Sequence, residues 1–253
     1  MDLTQYRDGD IERKRTEDLV RLFRVNSNIS QNALDVGARD GHFSRLLEEC
    51  FRDVTALDLE KPSISHKNIF CVQGDITSLD FNDNSFDLVF CAEVLEHIPS
   101  HLLEKACFEL SRVCKEFLLI GVPYKQDIRV GRTTCYSCGK KNPPWGHVNN
   151  FDRRRLTDLF PSLNAVEVSF IGETDVRTNI VSTFLMDLAG NPYGTYTQEE
   201  ACIRCGKKLK SPPEGNLLQK ISARVGSYLA SIQKPILKAH PNWIHVLFKK
   251  PKA

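Results

Sequence analysis

The segment LDVGARDGHFSRLL, residues 34–47, places an acid and two glycines directly after a run of apolar residues. Gly37 and Gly41 are four residues apart and follow Asp35, at the end of a predicted strand. A glycine turn lets the backbone approach a ligand closely, because no Cβ stands in the way. The spacing matches neither the dinucleotide fingerprint G-x-G-x-x-G nor the phosphate loop G-x-x-x-x-G-K-[ST]. The turn is therefore predicted to bind a ligand other than those recognised by the dinucleotide fingerprint or the phosphate loop.

Four of the nine cysteines form two C-x-x-C-G units, CYSCGK with Cys135 and Cys138 and CIRCGK with Cys202 and Cys205. Two thiolates separated by two residues and followed by glycine predict metal binding rather than disulfide bonding. Four thiolates complete a tetrahedral shell and leave no position for a catalytic water. We expect one Zn²⁺ with a structural role.

Seven strands are predicted along the chain, and helical patterns lie between the early ones. This alternation indicates a parallel sheet covered on both faces. The strands are NALDVG, DVTALDL, IFCVQGD, FDLVFCAEV, FLLIGVP, AVEVSFIG and WIHVLFKK. The helices are residues 10–28, with Ile11, Leu19, Leu22 and Phe23 apolar, then GHFSRLLEECF and HLLEKACFELSRVCK.

Two long irregular insertions interrupt this alternation, and each contains one cysteine unit. Loops of such length usually have a function or a structure of their own. We expect residues 125–150 and 173–240 to form a lid clasped by zinc. The core is then residues 1–124, 151–172 and 241–253.

The motif D-x-G-x-x-x-G at Asp35 resembles the first motif of class I S-adenosylmethionine-dependent methyltransferases, and the pattern is similar to their small-molecule branch often called type 11. The resemblance runs from about Asn32 to Pro123, through VTALDLE, VQGDITSLDFNDNSFDLVFCAEVLEHIP and ELSRVCKEFLLIGVP. It implies an α/β fold with a Rossmann-like, seven-stranded, mostly parallel sheet. The last strand, WIHVLFKK, would insert antiparallel.

The resemblance also implies a cofactor, S-adenosylmethionine, and its binding residues. Asp58 would accept hydrogen bonds from the ribose hydroxyls, and Gly74 and Asp75 would contact the adenine. The implied cofactor-binding residues are Asp35, Gly37, Gly41, Asp58, Leu59, Gly74, Asp75, Ile76, Cys91 and Glu93. The family usually has glycine where Arg39 stands. A side chain at this position must point away from the cofactor or crowd it, and arginine does not adopt positive φ freely, so a reshaped turn with impaired cofactor binding or catalysis stays open as an alternative.

Two histidines are candidates for a general base, which methyl transfer needs only when the acceptor must lose a proton. His97 follows the fourth predicted strand in EVLEHIP, and His147 lies in PPWGHVNNF within the first insertion. Each has a structural alternative. The LEHIP sequence recurs in the family whatever the substrate, and His147 could pack in the lid or ligate zinc.

The sequence NPPW, residues 142–145, resembles the motif with which amino-methyltransferases of DNA and protein amides hold a planar nitrogen. In those enzymes the motif directly follows the fourth strand, where this chain has CAEV. We therefore interpret NPPW as turn chemistry. The reaction we expect is methylation of a small molecule or glycan, at oxygen. The alternatives are a scaffold that has lost methyl transfer and an amino-methyltransferase of nucleic acid or protein.

Composition limits where the protein is expected and what its remaining cysteines do. The chain has 253 residues, is 41% hydrophobic and carries a formal charge of +2. Its apolar runs are shorter than a membrane span and no apolar signal region opens the sequence, so we expect a cytoplasmic protein. The other five cysteines are expected to be small core residues: Cys50, Cys71, Cys91, Cys107 and Cys114.

The C-terminal part of the chain is basic, with eleven Lys and Arg residues from Cys202 onward against one acid, Glu214. Few aromatic residues are interleaved with these charges, so no nucleic acid is expected as a partner. Residues 216–238 are expected to form a helix that contacts an anionic membrane surface or packs on the lid or a second subunit. Its apolar positions are Leu218, Ile221, Val225, Leu229, Ile232 and Ile236.

Overall fold

The computed structural model describes residues 9–24, 31–233 and 237–252. The chain forms two compact units. The first comprises residues 1–124, 151–172 and 241–253, and the second comprises residues 125–150 and 173–240.

Seven strands of the described chain form one sheet in the first unit. They are β1 (Asn32–Val36), β2 (Asp53–Asp58), β3 (Ile69–Gln73), β4 (Phe86–Ala92), β5 (Cys114–Pro123), β8 (Asn164–Ile171) and β9 (Trp243–Lys249). Their order across the sheet is β3-β2-β1-β4-β5-β9-β8. Strands β1 to β5 pair in parallel, and β9 pairs antiparallel with both β5 and β8. The predicted Rossmann-like sheet with an antiparallel last strand is confirmed.

Helices cover both faces of this sheet, as predicted. They are α1 (Asp10–Arg24), α2 (His42–Glu48), α3 (Leu103–Val113) and α4 (Arg153–Asp158). Successive residues of a strand point to opposite faces. Leu118 on β5 accordingly belongs to the buried cluster that contains Leu110 of α3. Its neighbour Leu119 belongs to the cluster that contains Leu19 of α1.

Helix α1 spans Asp10–Arg24, and the predicted extension to residue 28 lies outside the described residues. Ile11, expected on the buried face, is 43% exposed. Its place inside is taken by the charged residues Glu12 and Arg15, which are buried and joined by a 2.8 Å ion pair.

Three of the five remaining cysteines are fully buried, as expected: Cys91, Cys107 and Cys114. Cys50 and Cys71 are half-buried and pack against the edge of the core that contains Leu47 and Ile69. Cys71 lies on β3, the edge strand, and Cys50 follows the end of α2.

The second unit contains a short hairpin and two packed helices. The hairpin strands are β6 (Thr133–Thr134) and β7 (Lys141–Asn142), and the helices are α5 (Ile180–Leu188) and α6 (Leu217–Ser231). Asn179 and Asn216 start the two helices with reciprocal capping hydrogen bonds. Sequence reasoning missed α5. Among the described helices, none has the length and apolar character that spanning a membrane requires.

Candidate functional site

The glycine turn after β1 requires glycine at its first position. Gly37 has φ +81°, and a Cβ built there would lie 2.3 Å from Val94 Cγ2. The backbone N–H groups of Gly37 and Ala38 both donate to the carbonyl of Leu57, at 2.8 and 3.1 Å. These bonds tie the turn to the end of β2. Gly41, with φ +77°, precedes α2.

Arg39 is accommodated in this turn in a left-handed backbone conformation. It adopts φ +45° and its side chain is exposed. Its backbone N–H donates to Asp58 Oδ2 at 2.9 Å. A left-handed conformation costs a non-glycine residue about 1–2 kcal/mol. A hydrogen bond to a charged acceptor offsets a comparable amount, so arginine is tolerated here.

Asp58 stands at the carboxyl end of β2 with both carboxylate oxygens facing backbone donors. Oδ1 accepts from the N–H of Leu59 at 2.7 Å, and Oδ2 accepts from Arg39. An ionised carboxylate offers about four acceptor sites, so acceptor capacity remains for further hydroxyl groups. Leu59, directly after it, is 67% exposed. The pair presents an acid beside a solvent-facing apolar side chain.

The end of β3 lies beside the end of β2. Gly74 donates its backbone N–H to the carbonyl of Asp58 at 2.9 Å. The exposed Asp75 then forms a turn, in which its Oδ1 accepts from the N–H of Thr77 at 2.8 Å. Ile76 is buried below this turn. The structure thus brings the predicted residues of three strands to one edge of the sheet.

Asp35 lies under the glycine turn, at the end of β1. It is 2% exposed, and burial raises the pKa of its carboxyl to about 7. The hydroxyl of Ser44 on α2 donates to Asp35 Oδ2 at 2.5 Å and opposes this effect. Asp35 therefore connects the strand to the helix that follows the turn.

The end of β4 contributes Cys91 and Glu93. Burial raises the pKa of the Cys91 thiol well above its ordinary value, so this residue is a neutral packing group. Glu93 has φ +57°, and its Oε1 lies 3.3 Å from Arg15 Nη1 on α1. Burial raises the pKa of Glu93, and Arg15 opposes the rise. Sequence reasoning missed Arg15, because nothing local links it to β4.

Glu96 is a second residue that sequence reasoning missed. Its side chain is fully buried and neither carboxylate oxygen has a hydrogen-bond partner in the described chain. Burial raises its pKa well above the ordinary value, and the charge of Glu93 adds to the rise. Burial therefore favours the protonated form of this carboxyl.

The two candidate bases lie in different units. His97 follows Glu96 in the first unit, where its backbone N–H donates to the carbonyl of Val94 at 3.0 Å. His147 is buried in the second unit, with Nδ1 2.6 Å from Oε1 of Gln126.

The four predicted cysteines come together in the second unit. The Sγ atoms of Cys135 and Cys205 are 3.6 Å apart, as are those of Cys138 and Cys202. All four sulfurs lie within 4.8 Å of one another. These separations exceed the disulfide S–S length of about 2.05 Å. They bracket the S···S separation of about 3.8 Å that a tetrahedral site with Zn–S bonds of about 2.3 Å requires.

Both cysteine units are tight turns whose glycines need positive φ, +71° at Gly139 and +65° at Gly206. The backbone N–H of Gly139 donates to the carbonyl of Cys135, and that of Gly206 to the carbonyl of Cys202. Burial would raise the pKa of Cys202. Backbone N–H groups that point at its sulfur lower the pKa to about 6 instead. Such a thiolate suits metal coordination.

Asn142, the first residue of NPPW, supports the cysteine units. Its side chain is buried, its Oδ1 accepts from the N–H of Ile203 at 3.0 Å, and its Nδ2 donates to the carbonyl of Lys140. Both ends of the amide are thus engaged between the two C-x-x-C segments. This geometry agrees with the interpretation of NPPW as turn chemistry.

Comparisons with known proteins show that part of the first unit is similar to methyltransferases. Residues 34–117 match the family model described as "Methyltransferase domain". Over 112 residues the chain is 30% identical to the malonyl-[acyl-carrier protein] O-methyltransferase of Pectobacterium atrosepticum. That alignment covers 42% of this chain and 43% of the relative, so the chain aligns with less than half of the relative's length.

Solved structures share the fold over nearly the whole chain. The N-methyltransferase NodS from Bradyrhizobium japonicum, crystallised with S-adenosyl-L-homocysteine, has a TM-score of 0.55 at 16% identity, covering 98% of this chain and 92% of that one. The [4+2]-cyclase SpnF has a TM-score of 0.53 at 15% identity, with coverage of 95% and 82%. At these identities the likeness establishes the fold.

Proposed function

We propose that this chain is an S-adenosylmethionine-dependent methyltransferase. The observation that carries the proposal is the joined edge of β1 and β2, where Arg39 of the glycine turn donates to Asp58. The match to the methyltransferase domain spans both residues. The fold, shared with a protein crystallised with S-adenosyl-L-homocysteine, supports the same assignment.

The residues present at this edge fit the cofactor chemically. Gly37 and Gly41 leave backbone without side chains at the turn, where a sulfonium cofactor needs close approach. Asp58 has acceptor capacity for two ribose hydroxyls, and the exposed Leu59 offers an apolar surface to the adenine. Gly74 and Asp75 follow on β3, where the polar edge of the base would be recognised.

Bound S-adenosylmethionine supplies an electrophilic methyl group on sulfur. The chain's own contribution is then mainly to hold the acceptor in line and to exclude water. A base is required only for an acceptor that loses a proton. His97 and His147 are the proposed candidates for that role.

We infer that the acceptor is a small molecule or a glycan, methylated at oxygen. The aligned curated relative is by name an O-methyltransferase, which supports this inference. The formal charge of +2 gives no support to a polyanionic acceptor. The amino-methyltransferase alternative depends on the NPPW motif, in which the asparagine would hold the acceptor nitrogen. Both ends of the Asn142 amide are already engaged in hydrogen bonds within the chain, which disfavours this alternative.

A second candidate function is a protein that keeps the fold without transferring methyl groups. The observation that favours it is the similarity to a protein named as a [4+2]-cyclase. Detection of S-adenosylhomocysteine released by purified protein during incubation with candidate acceptors separates the two. Release that depends on an acceptor supports the enzyme.

We infer that the four-cysteine cluster holds a structural Zn²⁺. Its sulfur separations and thiolate-stabilising N–H groups support this inference. Cys135 and Cys202 also belong to the small buried cluster of the second unit, with Tyr196 and Leu209. A metal there would join the two cysteine units within this small cluster. The lid function of this unit stays a prediction.

Equilibrium binding tests the cofactor assignment directly. The metal-replete protein is titrated with S-adenosylmethionine, S-adenosylhomocysteine and, as a control, NAD. Micromolar binding of the first two without binding of NAD supports the proposal. Binding of none of them contradicts it.

A further inference from the structure

The two helices of the second unit expose most of their large apolar side chains, and their buried residues are small. All the exposed residues of α5 are apolar: Ile180, Val181, Phe184 and Leu188. Ser182, in contrast, is buried. This is the reverse of a helix that packs its apolar face on a core.

Helix α6 repeats this inverted arrangement. Ser222, Ala223 and Gly226 are its buried residues. A Cβ on Gly226 would lie 3.2 Å from the carbonyl oxygen of Ser182, so small residues line the contact between the helices. The exposed apolar residues of α6 and its C-terminal end are Leu217, Leu218, Ile221, Val225, Tyr228 and Ile232.

The exposed apolar residues of each helix lie on one side of it. Residues 180, 181, 184 and 188 follow the helical period, as do residues 217, 221, 225, 228 and 232. We call these residues, with Leu218, the apolar stripes of α5 and α6. Phe184 is 64% exposed and Leu217 is 76% exposed. Large clustered apolar surfaces of this kind mark interaction sites.

Positive charge accompanies the stripe of α6. Lys220 and Arg224 are exposed, lie one turn apart and border the stripe on one side. Between Cys202 and Ser231 the chain has six Lys and Arg residues and one acid, Glu214, which pairs with Lys220 at 3.3 Å. A second copy docked on this face would bring like charges together, which disfavours self-association.

We propose that α5 and α6 bind the surface of an anionic lipid membrane. The apolar stripes enter the boundary between headgroups and acyl chains, while Lys220 and Arg224 contact lipid phosphates. This extends the sequence prediction for residues 216–238, of which residues 234–236 lie outside the described chain, by adding α5 as a second contact element. The proposal stands on the second unit alone and does not depend on the proposed function.

Vesicle co-sedimentation tests the proposal with full-length protein. The vesicles are pure phosphatidylcholine, or phosphatidylcholine with about a third phosphatidylglycerol. Phe184→Glu places a charge within the stripe of α5. Phe108→Glu is the matched control, because Phe108 is also on a helix and is 65% exposed, in the first unit. Lys220→Gln with Arg224→Gln tests the charge.

The proposal predicts sedimentation with anionic vesicles and at least tenfold less with neutral ones. Phe184→Glu should reduce binding at least tenfold and Phe108→Glu less than twofold, while the double charge variant should weaken binding to anionic vesicles only. Absence of wild-type binding overturns the proposal. So does equal loss in both phenylalanine variants, or a dimer in solution that Phe184→Glu dissociates when no vesicle binding occurs.

Discussion

The backbone N–H of Arg39 donates a 2.9 Å hydrogen bond to the carboxylate of Asp58, joining the turn after β1 to the end of β2. This bond accounts for a left-handed arginine in a turn where glycine would be unstrained. It also fixes the position of the acid that we assign to the ribose. The turn and the acid therefore act as one structure.

Replacing Arg39 by glycine should leave cofactor affinity unchanged within about threefold. Glycine adopts φ +45° without the strain of about 1–2 kcal/mol and keeps the N–H that Asp58 accepts. The greater freedom of glycine in the unfolded chain offsets part of that gain. Calorimetric titration of Arg39→Gly measures the affinity, and Arg39→Ala serves as the control that keeps the strain. A gain beyond tenfold in Arg39→Gly would show instead that arginine obstructs the site.

Substitution of Gly37 by alanine should abolish cofactor binding and destabilise the protein by about 2–3 kcal/mol. The new Cβ would lie 2.3 Å from Val94 Cγ2 at φ +81°. Gly139→Ala is the matched control, because it has φ +71° and no heavy atom within 4 Å of the added Cβ. It should cost only the strain of positive φ, about 1 kcal/mol, and leave cofactor binding intact. Denaturant unfolding and titration of both variants measure these effects, and equal losses in the two would contradict the account.

Stability should depend on pH through Asp35. Its pKa is about 7 in the folded protein, raised by burial, with the charges of Asp58 and Asp40 adding to the rise. The unfolded value is near 3.9. The folded protein therefore holds this proton more tightly. The carboxyl contributes most stability below pH about 4, and the contribution is lost as pH rises to about 7.

Comparison of wild type with Asp35→Asn isolates this dependence. The free energy of unfolding of the variant, relative to wild type, should rise by about 1.4 kcal/mol per pH unit between pH 4 and 7, and level off above. Urea unfolding across this range measures it. A difference that stays constant with pH would refute the assignment of a raised pKa.

Purified protein never exposed to chelator should contain about one zinc per chain, measured by elemental analysis. Cys138→Ser removes one thiolate of the closed shell and should lower the zinc content and the melting temperature together. Cys50→Ser, at a half-buried cysteine outside the cluster, should retain the metal. Zinc well below one per chain in the wild type would contradict the structural metal.

Local patterns predicted the strands, because most of them are short apolar runs bounded by polar residues or glycine, whereas the antiparallel insertion of the last strand was predicted only from the resemblance to a known family. The two C-x-x-C-G units likewise predicted that their four cysteines lie together. Arg15 could not be predicted at the site, since its contact with Glu93 joins α1 to β4. Helix α5 was missed, although the cap formed by Asn179 and Ser182 was a readable signal.

Calorimetric titration of the protein with S-adenosylmethionine, repeated with Asp58→Ala, tests the central claim most directly. Asp80→Ala is the control, because Asp80 is an exposed acid in the segment after β3 and has no assigned role. The account predicts micromolar binding to wild type and Asp80→Ala, and at least a hundredfold loss in Asp58→Ala. Wild-type protein that binds no cofactor, or an Asp58→Ala variant that binds as tightly as wild type, would contradict it.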